Sequence, residues 1–499
     1  MMHPHDWREE QDPAYLFLRL WCSIRSEGRD LVANAHTAPA SLATLLKAAL
    51  SLPQGDAAVK GCCQAIEDLW DEGSTWSAKR QCVGLALCAM REIDQALLSI
   101  HPRSAIAASS SVAIPPWLED VRDRRTLSGA YARTDNWSLI ARGPFARSPK
   151  VSGEEATFVL TDQFAGVKVV DLAGFTQDGR ALNVSIKVVD HSADFGVPAR
   201  RDRAASEKVS FVPLAEASDD LVAKVTNDEA RTFIDIVKGS AFTPAALMCE
   251  AITACADSDI VISPELTVEQ SDVEAIADFL GTKTGIRPRL VVAGSGLIAA
   301  DHTDSGYPYN QATMLNGNGT QLWSYSKVSA YAMHGDVAEG LTIPGRGDAK
   351  ELMERISWSN EIIIADVDGL GRCLVLICQD LMMTAALSAL LAEFRPDWVL
   401  VPILDSGTSL NRWPARQARD LATASEARFV IVSSLTMKAW SSKKYPGEEM
   451  GVAIGPAYVN KGDVGADRPA VEAEVSPESD KERYATLRWR SIIGWQSYR

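Results

Sequence analysis

The feature that most constrains this chain is a set of five short apolar runs in its second half, separated by stretches with a helical pattern. DIVISPE, RLVVAGSG, RCLVLICQD, DWVLVPIL and RFVIVSS are each rich in valine, isoleucine and leucine. Runs of this kind read as strands buried on both faces. Between them, residues 244–256, 268–282, 381–394 and 412–428 read as amphipathic helices. The alternation predicts layered α/β architecture from about Lys208 onward.

At 499 residues the chain exceeds what one ordinary core holds, so two or three domains are expected. From Ala14 to about Ile100 the pattern is helical, with Val83, Leu87, Met90, Ile93 and Leu97 recurring on one face. Breaks at TAPAS around Pro39 and LPQGD around Pro53 divide it into an expected three to five helices. HPRSAIAASSSVAIPP, His101 to Pro116, is small, serine-rich and proline-bounded, as connectors are. Beyond it EATFVLT, VKVVDLA and ALNVSIKVVD read as strands. Leu182, Val184, Ile186 and Val188 share one face of the last, and QDGR makes the turn of a hairpin. The expected organisation is a helical module at 1–101, a linker at 102–116, a small β-rich region at 117–205 and an α/β domain at 206–499. No internal repeat indicates a solenoid.

Composition narrows the function. Apolar residues make up 46% and charged residues 23%, as in folded proteins, while the formal charge of -15 makes the average surface repel phosphate. The densest basic cluster, Arg200, Arg201 and Arg203, reads as a solvated linker, so no nucleic-acid partner is expected. No apolar run reaches the roughly 18 residues of a membrane span, and MMHPHDWREEQ lacks the apolar centre of a signal peptide. A cytoplasmic protein without a membrane role is expected. Nine irregularly spaced cysteines fit that, and Cys62, Cys63, Cys82 and Cys88 form no CxxC pair. The seven histidines never pair at metal spacing, His302 and His334 among them. GSG at Gly294–Gly296 lacks the rest of a dinucleotide fingerprint. No metal or organic cofactor is expected, and the RGD of Arg346, Gly347 and Asp348 reads as chance.

Three residues carry chemistry at the places where α/β domains gather it. Glu265 ends DIVISPE, Cys378 ends RCLVLIC, and Lys327 follows LWSYS. Taken singly, each has an ordinary structural explanation. Together, in ISPELT, WSYSKVSAY and LICQDLMM, they resemble the nitrilase superfamily of carbon–nitrogen hydrolases. That family places a glutamate in a strand-ending PE, a lysine in a segment like Y-x-K and a cysteine in a strand-ending C-x-D or C-x-E. VVAGSG, NQATMLNGNG, WVLVPIL, NRWPARQARDLATASEARFVIVSS and GVAIGPAYVNKGD also resemble family segments. The resemblance runs from about Arg231 to the last residue.

The resemblance implies a four-layer α-β-β-α sandwich and a cysteine-dependent hydrolase of an amide or carbamoyl bond. Glu265 would take the thiol proton, Cys378 would attack, and Lys327 with the backbone N–H of Gln379 would stabilise the oxyanion. Glu339, in AEGLTIPGRG, matches the family's second glutamate, and Asp380 matches an acid that is commonly structural. Glutamine at 379, where nitrile hydrolysers commonly carry tryptophan, argues against nitriles. The expected substrate is a small amide-type molecule, with acyl transfer an alternative on the same residues and self-association through the hydrolase domain. A second reading makes the fold a sensor or scaffold in a larger assembly, with a protein partner on the N-terminal extension. Multi-component systems of the superfamily, some in bacterial antiviral defence, carry such additions.

Overall fold

In the computed structural model the chain forms two compact units, residues 1–174 with 185–190, and residues 175–184 with 191–499. The structure describes residues 4–101, 114–142, 160–189 and 207–497, apart from 28–29, 31, 33–34, 36, 71–74, 229–230, 284, 286–287, 300–305, 335–338, 342, 344–347, 368, 426, 442–448, 457–469, 476–483 and 491–493. The basic cluster at 200–203, His302, most of the expected linker and most of EATFVLT lie outside the described residues, as do Arg346 and Gly347 of the RGD.

The first unit contains helices α1 (Pro13–Ile24), α2 (Ala40–Leu50), α3 (Gly55–Glu67), α4 (Trp76–Leu97) and α5 (Pro116–Ser128). Asp12 caps α1 by accepting the Ala14 N–H at 2.9 Å, with Pro13 opening the helix. Strands β1 (Ala132–Arg133), β2 (Trp137–Ala141) and β3 (Val167–Asp171) make an antiparallel sheet. One apolar core runs from Trp7 through Met90 and Leu97 to Leu139 and Val169. The helical module and the β-rich region were expected to lie on either side of a linker, whereas these strands share the helices' core. Polar contacts reinforce the join. Asp94 of α4 accepts the N–H groups of Ala165, Gly166 and Val167 at 2.8–3.0 Å, and the Trp117 indole donates to the Leu50 carbonyl at 3.0 Å. Of EATFVLT, the described end belongs to a 3-10 turn, Leu160–Gln163.

A short hairpin, β4 (Thr176–Gln177) against β5 (Arg180–Ala181), has Asp178 and Gly179 at φ +50° and +75°, the turn expected of QDGR, although VKVVD pairs with β2 and not across it. Strand β6 (Asn183–Val189) follows it in the chain.

The second unit is α/β. Its first sheet contains β7 (Lys208–Phe211), β10 (Ile260–Ile262), β11 (Leu290–Ile298), β12 (Tyr309–Leu315), β13 (Gln321–Ser326), β22 (Ala485–Arg490) and β23 (Gly494–Ser497), ordered β13-β12-β11-β10-β7-β22-β23. Strands β7, β10 and β11 are parallel. The second sheet runs β21-β20-β19-β18-β17-β16, from Ala470–Val475, Gly451–Pro456, Arg428–Ser433, Trp398–Ile403, Gly371–Val375 and Glu361–Val367 respectively, with β17, β18 and β19 parallel. A smaller sheet, β14 (Ala332–His334), β15 (Glu351–Glu354), β9 (Thr232–Lys238) and β8 (Leu221–Asn227), supports one end.

The two larger sheets pack face to face. Gly451 of β20 meets Phe211 of β7, Gly455 meets Trp489 of β22, and the rings of Trp398 and Trp495 lie 6.1 Å apart. Helices α6 (Pro244–Ala254) and α7 (Gln270–Thr282) cover the first sheet, while α8 (Thr384–Phe394) and α9 (Trp413–Ser425) cover the second. The result is a four-layer α-β-β-α sandwich. Strands β10, β17, β18 and β19 are buried along their whole length, Arg372 within β17 being paired with Asp366. Among the described residues no helix is long and apolar enough to cross a membrane.

Candidate active site

Two parallel strands, one from each large sheet, bring their ends to one place. Glu265 lies three residues beyond Ile262 of β10, and Cys378 three beyond Val375 of β17. Both ends turn sharply: Leu266 has φ +58° and Cys378 φ +47°, conformations that cost non-glycine residues of order 1–3 kcal/mol and recur at functional sites. The turn at Cys378 is a 3-10 segment, Cys378–Met382, so helix α8 begins at Thr384 and not at the expected Leu381.

The GSG motif serves packing. A Cβ on Gly294, whose φ is +90°, would lie 2.6 Å from the Pro264 carbonyl oxygen, and one on Gly296 would overlap that of Val268. Only glycine lets β11 come this close to the segment that carries Glu265.

Lys327 follows β13. Its backbone N–H donates to the Asn310 carbonyl at 2.9 Å, and its ammonium donates to Glu265 Oε1 and Glu354 Oε2, both at 2.7 Å. Lys327 is 1% exposed and Glu265 2%. Burial alone would pull the lysine down, but the Glu265 and Glu354 carboxylates outweigh it and hold the cation well above its ordinary range. For Glu265 burial wins: it lifts the carboxyl against the pull of Lys327, and neighbouring Glu354 adds to the rise. Burial also pushes the Cys378 thiol up, Glu265 reinforces this, and Lys327 and the Leu404 N–H oppose it. Cys378 thus lies close enough to Glu265 for the carboxylate to favour the protonated thiol.

Glu265, Lys327, Cys378 and Gln379 line one cavity of about 440 Å³ in the second unit. Its walls are largely apolar, with Leu266, Met333, Ile356, Leu404 and Trp413, and two paired arginines complete it. Arg355 is held by both oxygens of Asp235, and Arg412 donates to Asp405 Oδ1 at 2.9 Å.

Glu339, expected as the second glutamate, is exposed and does not line this cavity. The carboxylate on Lys327 belongs to Glu354. Glu354 ends β15, where its N–H donates to the Tyr331 carbonyl at 2.9 Å while its Oε2 accepts the Tyr331 N–H at 3.0 Å. A strand end pinned in this way holds a side chain on target, whereas Glu339 sits outside the paired strands. Asn310, fully buried, was also missed as a site residue. It donates to Glu265 Oε1 and to Glu354 Oε1, each at 2.9 Å. NQATMLNGNG marked its strand, and in ELME two glutamates flank Leu352 and Met353 with nothing to single out Glu354. Asp380 is tied to backbone, as the resemblance implied: it accepts the Ser329 N–H at 2.9 Å and the Val328 N–H at 3.2 Å. Among the described residues no group of three or more His, Cys, Asp or Glu side chains is arranged to hold a metal ion.

No family model matches the chain, and no curated protein matches it. Similar solved structures include Nit3 of Saccharomyces cerevisiae, a member of branch 10 of the nitrilase superfamily. It is 15% identical, with a TM-score of 0.35 over 55% of this chain and 91% of that one. An amidase from Nesterenkonia sp. is 14% identical, with a TM-score of 0.36 over 58% of this chain and 92% of its own. The glutamine-dependent NAD+ synthetase of Acinetobacter baumannii is 14% identical, with a TM-score of 0.36 over 59% of this chain and 49% of its own. At these identities the likeness assigns no activity.

Proposed function

We propose that the second unit is a cysteine-dependent hydrolase of a carbon–nitrogen bond in a small amide or carbamoyl compound, of the nitrilase type. The observation that carries this reading is the convergence of Glu265, Lys327 and Cys378 on one cavity, with the Lys327 ammonium 2.7 Å from Glu265 Oε1.

Glu265 takes the thiol proton as Sγ bonds to the substrate's carbonyl carbon. Negative charge moves onto the carbonyl oxygen, where the Lys327 ammonium and the Gln379 N–H would receive it. The proton then passes from Glu265 to the nitrogen as the C–N bond breaks, leaving a thioester on Cys378 and a free amine or ammonia. Water attacks the thioester after giving a proton to Glu265. The C–S bond breaks, the acid leaves, and the thiol is restored. An amine in place of water would make the same residues an acyltransferase.

The charges lining the cavity favour an uncharged or cationic substrate. Glu265, Glu354, Asp235 and Asp405 stand against Lys327, Arg355 and Arg412, an excess of one negative charge, and both arginines are paired with aspartates. Self-association through this unit, a cytoplasmic location and a protein partner on the first unit belong to the same proposal. The test is ammonia release from a panel of small neutral amides, compared between the wild type and Cys378→Ala. Release that Cys378→Ala abolishes is the expected result; equal release by the variant rejects the nucleophile. A wild type that releases none while Cys378 alkylates no faster than the other cysteines favours the sensor or scaffold reading.

A further inference from the structure

Asn310 touches both carboxylates of the site but is not among the cavity-lining residues. Its amide nitrogen has two hydrogens, and each goes to one glutamate: Glu265 Oε1 at 2.9 Å and Glu354 Oε1 at 2.9 Å. Its amide oxygen lies 2.7 Å from the Ser295 hydroxyl. The direction of that last bond is set from further back. The Leu266 N–H, which can only donate, points at Ser295 Oγ at 3.2 Å, so the single hydroxyl proton of Ser295 is free to go forward to Asn310. A proton arriving there requires an oxygen, so the amide nitrogen must face the glutamates.

The chain of bonds thus runs one way, from a backbone N–H through Ser295 and Asn310 onto two carboxylates. Each link is fixed by the fold. Ser295 follows a register irregularity in β11 that begins at Val292, and the Asn310 carbonyl accepts the backbone N–H of Lys327. Both Asn310 and Lys327 hold the same glutamate atom, Oε1 of Glu265.

We propose that Asn310, oriented by Ser295, is a positioning residue that keeps Glu265 Oε1 an unprotonated acceptor and so presents Oε2 to the Cys378 thiol. It acts through Glu265 and touches neither the thiol nor the substrate space. The groups facing Glu265 are the Lys327 cation, the Glu354 carboxylate and the Cys378 thiol, with Asn310 the neutral donor among them. Without that donor, two carboxylates share one ammonium, and Glu265 gains a proton more readily. This inference rests on Glu265 being the base for Cys378.

The test is the rate of Cys378 alkylation by iodoacetamide as a function of pH, read by peptide mass. In the wild type the rate should rise as Glu265 ionises, and Glu265→Gln should lose that limb. In Asn310→Ala the limb should persist but move to higher pH by about one unit, the shift expected for losing one hydrogen bond to a charged acceptor. Ser295→Ala, which leaves Asn310 in place but removes its orienting hydroxyl, should shift the limb the same way by less. A limb in folded Asn310→Ala that superimposes on the wild type's overturns the proposal. If Asn310→Ala yields no folded protein, an unshifted limb in Ser295→Ala does the same. If the wild type has no acid limb, or Glu265→Gln retains it, the failure lies in the reading of Glu265 as base, and the role of Asn310 falls with it.

Discussion

The Tyr325 hydroxyl donates to Asp380 Oδ2 at 2.9 Å, joining the strand before Lys327 to the turn that carries Cys378. Asp380 is fully buried, and burial pushes it up to about 6 against the pull of Lys327 and its donors. Tyr325→Phe removes one donor from a buried carboxyl, so stability in urea should fall by about 1–3 kcal/mol. A variant as stable as the wild type would show that this bond contributes nothing net.

The assignment of the second glutamate separates two positions. Glu354→Ala should reduce turnover by about 10²-fold, because it strips Lys327 of one of its two carboxylate partners. Glu339→Ala should leave turnover within about twofold, as surface substitutions usually do. Measured kcat/KM values in the opposite order would return the role to Glu339.

Lys327 bridges the buried Glu265 carboxylate and the partly buried Glu354. Lys327→Met should lower kcat by on the order of 10²-fold or more. It should also raise the pH at which Glu265 ionises, because the first force holding that carboxyl down against burial is the lysine's charge. A pH–rate profile of residual activity with an unmoved acid limb would contradict the arrangement.

At the other end of the strands, Glu207 pairs with Arg428 at 3.1 Å, and Arg428 stacks on Trp398. Burial lifts Glu207 from 4.5 to about 7, with Arg428 opposing. Because the folded value lies above the unfolded one, its contribution to stability is complete below about pH 4.5 and is lost as pH rises through about 7. Thermal melts should show a fall across that window that Glu207→Gln flattens. An identical fall in the variant would assign the dependence elsewhere.

How much of this was legible in the sequence depended on how local each signal was. Strands such as WVLVPIL declared themselves because both of their faces are buried, so no polar residue interrupts them. Glu265, Lys327 and Cys378 were legible because each sits beside its own strand end. Asn310 and Glu354 were not, because their meaning comes from sheet pairings that bring β12 beside β13 and β15 beside β9, which adjacent residues do not reveal. The same holds for the first unit. The small, proline-bounded segment His101–Pro116 read as a domain boundary, yet Leu139 and Val169 beyond it share a core with Met90 and Leu97 before it.

Activation of Cys378 by Glu265, as proposed, would make that thiol the first of the nine cysteines to react. It is tested most directly by brief exposure of the intact protein to iodoacetamide, with peptide mapping across all nine cysteines. Burial raises Cys62 and Cys63 to about 12, Cys255 to about 11, Cys22, Cys88 and Cys249 as well, and Cys378 itself, so what sets Cys378 apart is the cavity it shares with Glu265. Cys378 should be labelled before any of the others, and Glu265→Gln should remove that lead. Labelling that begins at Cys22, Cys88 or Cys249 and leaves Cys378 untouched would remove Glu265 as the activator of Cys378.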